Sequence, residues 1–384
     1  MSTASFDPLH FLAQISPDLL SQYARHHKIE FETAQDEAGE KVAEQCIAVV
    51  EKEPENKQAQ FWTDTYDIDE IATGNGCDLL LHKAMAQEGT WDQREYQALK
   101  NAKERAMYFY LHCYDLFYET FDQYNLENLQ GWRGEKTITK NPKDIIGSTG
   151  AFRQGLKTLY AKEYKGKNLK VKHFQRDKGI VFVAYIEDAF VNDLSFEKGD
   201  LKPRTPRKPV MRAYFRYRYE EGILEVKAPG GRERIAQLQR EFIKNLLQET
   251  PMVTDQARYD FERVRDIGML AFPTEAQDLV DRVTLKGLRL FHNSSRARIS
   301  IDLGNATGYG TAPMIECLEK MNVHLSDYLV TQFKIEVVFK NTSGQGRRKK
   351  VTVAITHPNI CDLKDRDIDA TVRHLLKKWK LDLF

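Results

Sequence analysis

The sequence predicts an α+β protein: a helical N-terminal unit followed by two similar antiparallel half-sheets, each backed by helices. Three observations carry this. Apolar residues recur at helical spacing through roughly the first 160 positions. The periodicity then switches to two. The strand-rich part finally runs twice through the same grammar, two strand pairs and a closing amphipathic helix.

Taken in order, Ser16-Pro17 places a capping residue before a proline at the first helical position, and Leu19, Leu20, Tyr23 and Ala24 follow at helical spacing. Residues 41–52 repeat the pattern. A helical stretch from 57 onward is interrupted by Thr73-Gly74-Asn75-Gly76, a turn signal. Residues 91–124 contain neither proline nor glycine and read as one long helix, with Tyr110, Tyr114, Phe117 and Phe121 on a single face. Together with Tyr108, Phe109, Tyr118 and Tyr124 they make an aromatic crowd suited to stacking on bases or lining a pocket. Their spacing is that of a helix core, and core packing is the expectation.

From 131 to 150 the texture changes to Gly, Lys, Asn, Pro, Ser and Thr, which marks a boundary. The expected units are a helical domain at 1–135 and two α+β halves at 150–250 and 280–384. A helix near 151–163 opens the first half. Strands at 169–174 and 180–186 flank a turn at Arg176-Asp177-Lys178-Gly179, and a polar insertion at 201–209 follows. Residues 211–219 and 223–228 then form a hairpin. A two-residue turn at Glu221-Gly222 pairs Tyr217 with Val226, Arg218 with Glu225 and Arg216 with Lys227. A helix at 232–248 buries Ile235, Leu238, Phe242 and Leu246. The second half repeats with strands at 282–291, 296–303, 333–340 and 351–356, a short helix at 313–321 and a closing helix at 367–380. In element order alone this duplication resembles the saddle of the TATA-box-binding proteins. No residue motif of that family accompanies the likeness, so it speaks to architecture only.

Charge is distributed unevenly. Residues 1–100 hold 8 Lys+Arg against 19 Asp+Glu, a net of −11, whereas the remaining 284 carry a net of +12. An acidic front and a basic body point to a polyanion partner for the body and to a protein partner at the acidic unit. Five scattered cysteines without paired spacing read as reduced thiols. The N-terminus lacks the basic start and apolar run of a leader, and no apolar stretch is long enough for a bilayer, so a cytoplasmic protein without membrane contact is expected.

Four chemistries set residue requirements against which this sequence can be read. A restriction-type nuclease core needs an Asp and a Glu-x-Lys on adjacent strands, two carboxylates for Mg²⁺ and a lysine to orient water. Asp200, Glu225 and Lys227 match that pattern, although a short motif of free spacing is weak and Arg218 competes for Glu225 as a cross-strand ion pair. The glycine-rich stretch at 304–310 lies between a strand and a helix but lacks the lysine of a phosphate loop, so a turn is expected. The ten histidines show no zinc-ligand spacing, and no G-x-S-x-G elbow is present.

Basic residues interleaved with aromatics remain. Arg212, Tyr214, Arg216 and Arg218 alternate along one strand, Lys202, Arg204, Arg207 and Lys208 crowd the loop before it, and Arg347, Arg348, Lys349 and Lys350 run consecutively near a hairpin tip. Cations suit phosphates and aromatics suit bases. The alternative is a solvated outer sheet face whose edge is protected by charge. The leading expectation is a non-catalytic nucleic-acid-binding component (DNA or RNA), an accessory or sensor subunit of a multi-protein system, with no metal or cofactor. A Mg²⁺-dependent nuclease using Asp200, Glu225 and Lys227, and a protein-interaction scaffold built on the acidic helical unit, are the alternatives.

Overall fold

The computed structural model describes residues 6–32, 39–87, 91–176, 179–191, 194–197, 199–203, 206–251, 257–304, 308–341 and 348–384. Two compact units meet in sequence at Asn128 and Leu129. Among the described residues the first consists of eight helices: α1 (Pro8–Leu12), α2 (Pro17–His26), α3 (Glu40–Val50), α4 (Glu55–Ile71), α5 (Gly74–Met85), α6 (Gln93–Ala98), α7 (Ala102–His112) and α8 (Tyr114–Asn128). The helix breaks beside the 73–76 signal, at Ala72-Thr73; Gly74-Asn75-Gly76 form the first turn of α5, which Thr73 caps by accepting from the Gly76 amide.

The long helix expected over 91–124 is three helices. Asn101 is the reason for the main break: its side chain accepts from the amides of Lys103 and Glu104 at 2.9 and 3.0 Å, starting α7 afresh. Glu104, itself buried, then accepts from the amides of Lys100 and Ser16 at 2.7 and 3.0 Å and ties the start of α2 to α7. Tyr108, Phe109, Tyr110, Phe117 and Phe121 are buried in one core with Tyr23 and Phe61. Their hydroxyls need partners there. Buried Asp64 on α4 supplies two of them, accepting from Tyr110 and Tyr118 at 2.7 Å each, and also takes the Gln60 amide at 2.8 Å. His27 lies 3.7 Å from the same carboxylate, yet burial pushes its pKa down to about 4, so the ring is neutral at physiological pH.

The second unit is one continuous antiparallel sheet of ten strands with helices on both sides. In chain order it contains β1 (Trp132–Lys136), α9 (Pro142–Gly147), α10 (Thr149–Ala161), β2 (Leu169–Arg176), β3 (Gly179–Glu187), β4 (Leu194–Glu197), β5 (Asp200–Pro203), β6 (Val210–Arg218), β7 (Ile223–Lys227) and α11 (Gly231–Phe242), which runs into a π-turn at Ile243–Leu247. Then come α12 (Phe261–Arg265), β8 (Val280–His292), β9 (Arg298–Asp302), α13 (Ala312–Lys320), β10 (Tyr328–Phe339), β11 (Lys350–Thr356), β12 (Ile360–Cys361) and α14 (Asp367–Lys378). The strand order is β2-β3-β6-β7-β1-β12-β11-β10-β8-β9, and β4-β5 form a separate ribbon.

Two expectations are corrected here. Residues 132–136, which read as part of a linker, form the central strand: β1 pairs with β7 on one side and β12 on the other, fusing the two halves. The 211–228 hairpin is offset by two residues from the expected register. Arg218 faces Ile223, Tyr217 faces Leu224, Arg216 faces Glu225 and Tyr214 faces Lys227, with a four-residue turn. Gly222 sits at φ +61°, and a Cβ there would lie 2.6 Å from the Thr137 carbonyl, so the segment leaving β1 packs onto the turn and sets its length. An even offset preserves which residues share a face.

The faces themselves are divided unusually. Leu224 and Val226 join the core beneath α9, α10 and α11. Glu225 points the other way, as do its partner Gly134 and then Trp132, which pairs with Cys361, a member of the core beneath α12, α13 and α14. The two halves are therefore backed on opposite faces of the same sheet. A saddle backed from one side does not describe this protein, and the likeness stops at element order.

Prediction for the helical unit: Asp64→Ala strands three donors in or beside the core and lowers stability by about 3 kcal/mol, whereas Tyr110→Phe costs about 1 kcal/mol. Thermal unfolding of both variants checks the ranking, and equal effects would refute it.

Candidate nucleic-acid interface

The strand that sequence reading placed outward as a row of cations splits into two environments. At its C-terminal end, Arg216 and Arg218 are turned into the protein. The Arg216 Nε lies 2.6 Å and the Arg218 Nε 3.2 Å from Glu225 Oε2, while Arg258 Nη1 donates to Glu225 Oε1 at 3.0 Å. Asp365 accepts from Arg218 Nη2 at 2.9 Å and lies 3.2 Å from Arg216 Nη1 and 3.7 Å from Arg373 Nη1. Arg258 holds Asp382 with two donors at 3.0 and 2.8 Å. Four guanidinium groups thus meet three carboxylates. Arg216 also stacks on Trp132, 4.3 Å from the ring centroid.

This network forms where the C-terminal elements, which belong to the other half, cross onto the open face of the first. Gly134 makes room for it: a Cβ there would come 2.7 Å from Arg258 Nη1. Burial alone would raise the Glu225 pKa, but Arg216, Arg218 and Arg258 outweigh it and hold the carboxyl well below its usual range. Burial likewise opposes ionisation of Asp365, and Arg216, Arg218 and Arg373 bring it down to about 2. Arg373, buried and repelled by Arg218 and Arg216, is brought down to about 10. None of these arginines is turned toward an outside ligand.

The same geometry dismantles the nuclease constellation. Both oxygens of Glu225 are occupied by guanidinium donors, the Lys227 amine donates to the Gln130 carbonyl at 2.6 Å, and Asp200 lies on the separate β4-β5 ribbon. Among the described residues no group of three or more His, Cys, Asp or Glu side chains is placed to hold a metal.

At the other end of the same face the environment is open. Register aligns Lys170, Tyr185 and Arg212 across β2, β3 and β6, and beside them Lys172, Val183, Tyr214 and Lys227. Lys170, Lys172 and Arg212 are exposed, and Tyr185 and Tyr214 are half-buried. Tyr185 is held between cations, with Lys172 Nζ 5.6 Å and Arg212 Cζ 5.7 Å from its ring centroid. Neither cross-strand row contains an acidic residue. Carboxylates flank these rows on both sides: Glu187, two residues beyond Tyr185 on the same face of β3, takes Lys208 at 2.8 Å, and Glu225 lies toward the ion network.

The remaining sequence-predicted residues scatter. Arg207 is exposed at the root of the β4-β5 ribbon, bridged to Val191, and Lys202 is exposed on β5. Lys208 pairs with Glu187 at 2.8 Å and lies over Phe190. Arg204 and Arg347 lie outside the described residues. Arg348 pairs with Asp281 at 2.7 Å and Lys350 with Glu336 at 3.6 Å, while Lys349 is exposed. Lys350 follows the opposite parity to Val351 of the α12–α14 core, so its strand position faces the side of the sheet opposite to Arg212. The two basic clusters are not brought together. Of the 304–310 loop, Gly310 is hydrogen-bonded into the edge of β8, and 305–307 lie outside the described residues.

Sequence reading missed Lys170, Lys172 and Tyr185. The signal existed, since lysines alternate with apolar residues at 169–172, but only the order of strands puts them beside Arg212. Among the described residues no helix is long and apolar enough to cross a membrane, and all five cysteines are free thiols. No protein-family model matches the chain, and no curated protein matches it either.

Two outcomes follow for the network. Glu225→Gln leaves buried guanidinium groups uncompensated and destabilises the second unit by about 3–5 kcal/mol in urea unfolding at neutral pH. Because the Asp365 pKa is depressed in the folded state, its contribution is complete above about pH 4 and is lost as pH falls toward 2. Asp365→Asn should therefore flatten the acid limb of stability, read through hydrogen exchange of the α14 amides. An unchanged acid limb would remove Asp365 from the network's energetics.

Proposed function

We propose that the protein binds a nucleic-acid strand, without performing chemistry on it, through the open face of β2, β3 and β6. The observation that carries this reading is Tyr185 held between Lys172 and Arg212, with Lys170 beside them and no acidic residue in either cross-strand row. Each cation placed against a phosphate releases a counterion, and an aromatic ring on a rigid sheet offers a stacking surface indifferent to sequence. Tyr214 on the neighbouring row extends that surface. Such a face favours single strands, whose bases are free to lie on it, over a closed duplex. The sheet supplies rigidity, because the buried ion network fixes β6 and β7 immediately below. A component that holds a strand for other proteins to act upon, an accessory subunit, fits a binding face without a catalytic constellation beside it.

Lys172→Ala/Arg212→Ala tests the assignment. Both side chains are exposed, so the fold should survive. Affinity for labelled single-stranded DNA or RNA should fall at low salt, and the slope of log K against log salt should shrink by about 1.4, two contacts' worth for a single strand. Unchanged affinity and slope would reject this face as the interface.

A further inference from the structure

On the β4-β5 ribbon three large apolar side chains stand together in solvent. Its register pairs Phe196 with Leu201, and Leu194 lies two residues from Phe196, so the three share one face of the ribbon; they are 77 %, 57 % and 66 % exposed. An isolated two-stranded ribbon gains nothing from exposing such a face, and clustered exposed apolar groups mark a docking surface. What docks is indicated by where the ribbon is rooted. It is inserted between β3 and β6, the strands that carry Tyr185 and Arg212. The ladder between them continues past Glu187 and Val210 into the root, through Asp188 N to the Pro209 carbonyl at 2.8 Å and reciprocal bonds between Val191 and Arg207 at 2.9 and 3.3 Å. The cation–aromatic pattern continues as well: Lys208 Nζ lies 4.7 Å from the centroid of Phe190, which is 66 % exposed. The ladder from β3 and β6 thus reaches Val191 and Arg207, at the root of the ribbon that carries the apolar face.

We infer that the ribbon is a wedge for the junction between a single strand and a duplex, with Phe196 and Leu201 seated against the last base pair while the strand leaving it lies on the Tyr185 face. This rests on the reading proposed above. Phosphates give the arm's apolar face nothing to bind, whereas the faces of terminal bases do, and apolar side chains inserted at a base step unstack it. The ligand class is accordingly a partial duplex with a single-stranded tail rather than a continuous single strand.

The test uses the full-length protein with three probes, each as DNA and as RNA: a single strand, a blunt duplex, and a duplex with a single-stranded tail carrying 2-aminopurine at the junction. The expected result is tighter binding of the tailed duplex than of the single strand, by about tenfold, with a rise in 2-aminopurine fluorescence. In Phe196→Ser/Leu201→Ser both the preference and the fluorescence rise should vanish, while single-strand affinity and salt slope stay at wild-type values. Single-strand binding without junction preference in the wild type, or a preference untouched by the double substitution, overturns the wedge and leaves the face intact. Loss of all nucleic-acid binding in the wild type removes the face as well. Sedimentation of wild type and variant closes the remaining route: self-association abolished by Phe196→Ser/Leu201→Ser would assign the ribbon to a second copy of the chain and overturn the proposal.

Discussion

Everything in the second unit turns on the carboxylate of Glu225. It is 2 % exposed, at the middle of a ten-stranded sheet, and three arginines from two separate stretches of chain, β6 and the segment at Arg258, converge on it. A buried charge is tolerated only where its neutralisation is complete, so Arg216, Arg218 and Arg258 must all be in place together. Arg258 brings Asp382 near the C-terminus, and Arg216 and Arg218 bring Asp365, just before α14. One ion cluster therefore fixes the position at which the second half lies across the first. An apolar seam at the same place would permit sliding; charged partners with fixed hydrogen-bond directions do not.

That crossing is needed because the sheet changes backing at β1 and β12. Helices α9–α11 bury one face of the first half, helices α12–α14 bury the opposite face of the second, and each half has an open face on the side the other half covers. Where α14 and its preceding loop overlap the first half's open face, the arginines of β6 are neutralised internally. Beyond that overlap Arg212 is exposed. Charge along β6 is thus sorted by position: Arg216 and Arg218 serve the fold, and Arg212 with Lys170 and Lys172 is left to face solvent. The contrast in environment between residues four positions apart on one strand is what separates the structural role of Arg216 from the binding role proposed for Arg212.

The helical unit follows a parallel logic with different chemistry. Its core is aromatic, and aromatic hydroxyls buried in it must be satisfied. Asp64 answers two tyrosines at once and so spaces α4 from α7 and α8. Period-3.6 patterning located those helices and their buried face. It gave no warning of the polar centre, because a single Asp in a helical run has the same appearance whether it points to solvent or to two hydroxyls.

The α+β class, the change from helical to strand periodicity and the closing helix of each half were all legible in the chain, because local propensity and apolar spacing act over a few residues. The alternation along β6 and β7 was legible for the same reason, and a hairpin offset by two residues kept its faces. Three things were not. The strand at Trp132–Lys136 is short, contains a glycine and is held by partners about 90 and 230 residues away, so its local composition reads as a boundary. The fate of each arginine depended on which carboxylates the tertiary fold delivered, and Asp365 lies 147 residues beyond Arg218. The open basic face required β3 to bring β2, with Lys170 and Lys172, to one side of it and β6, with Arg212, to the other. By itself, then, the sequence determined which residues could pair into strands and helices and which side of each they share; only the tertiary structure decided which charged faces stay open, because neutralisation is a matter of distance in space and not of spacing along the chain.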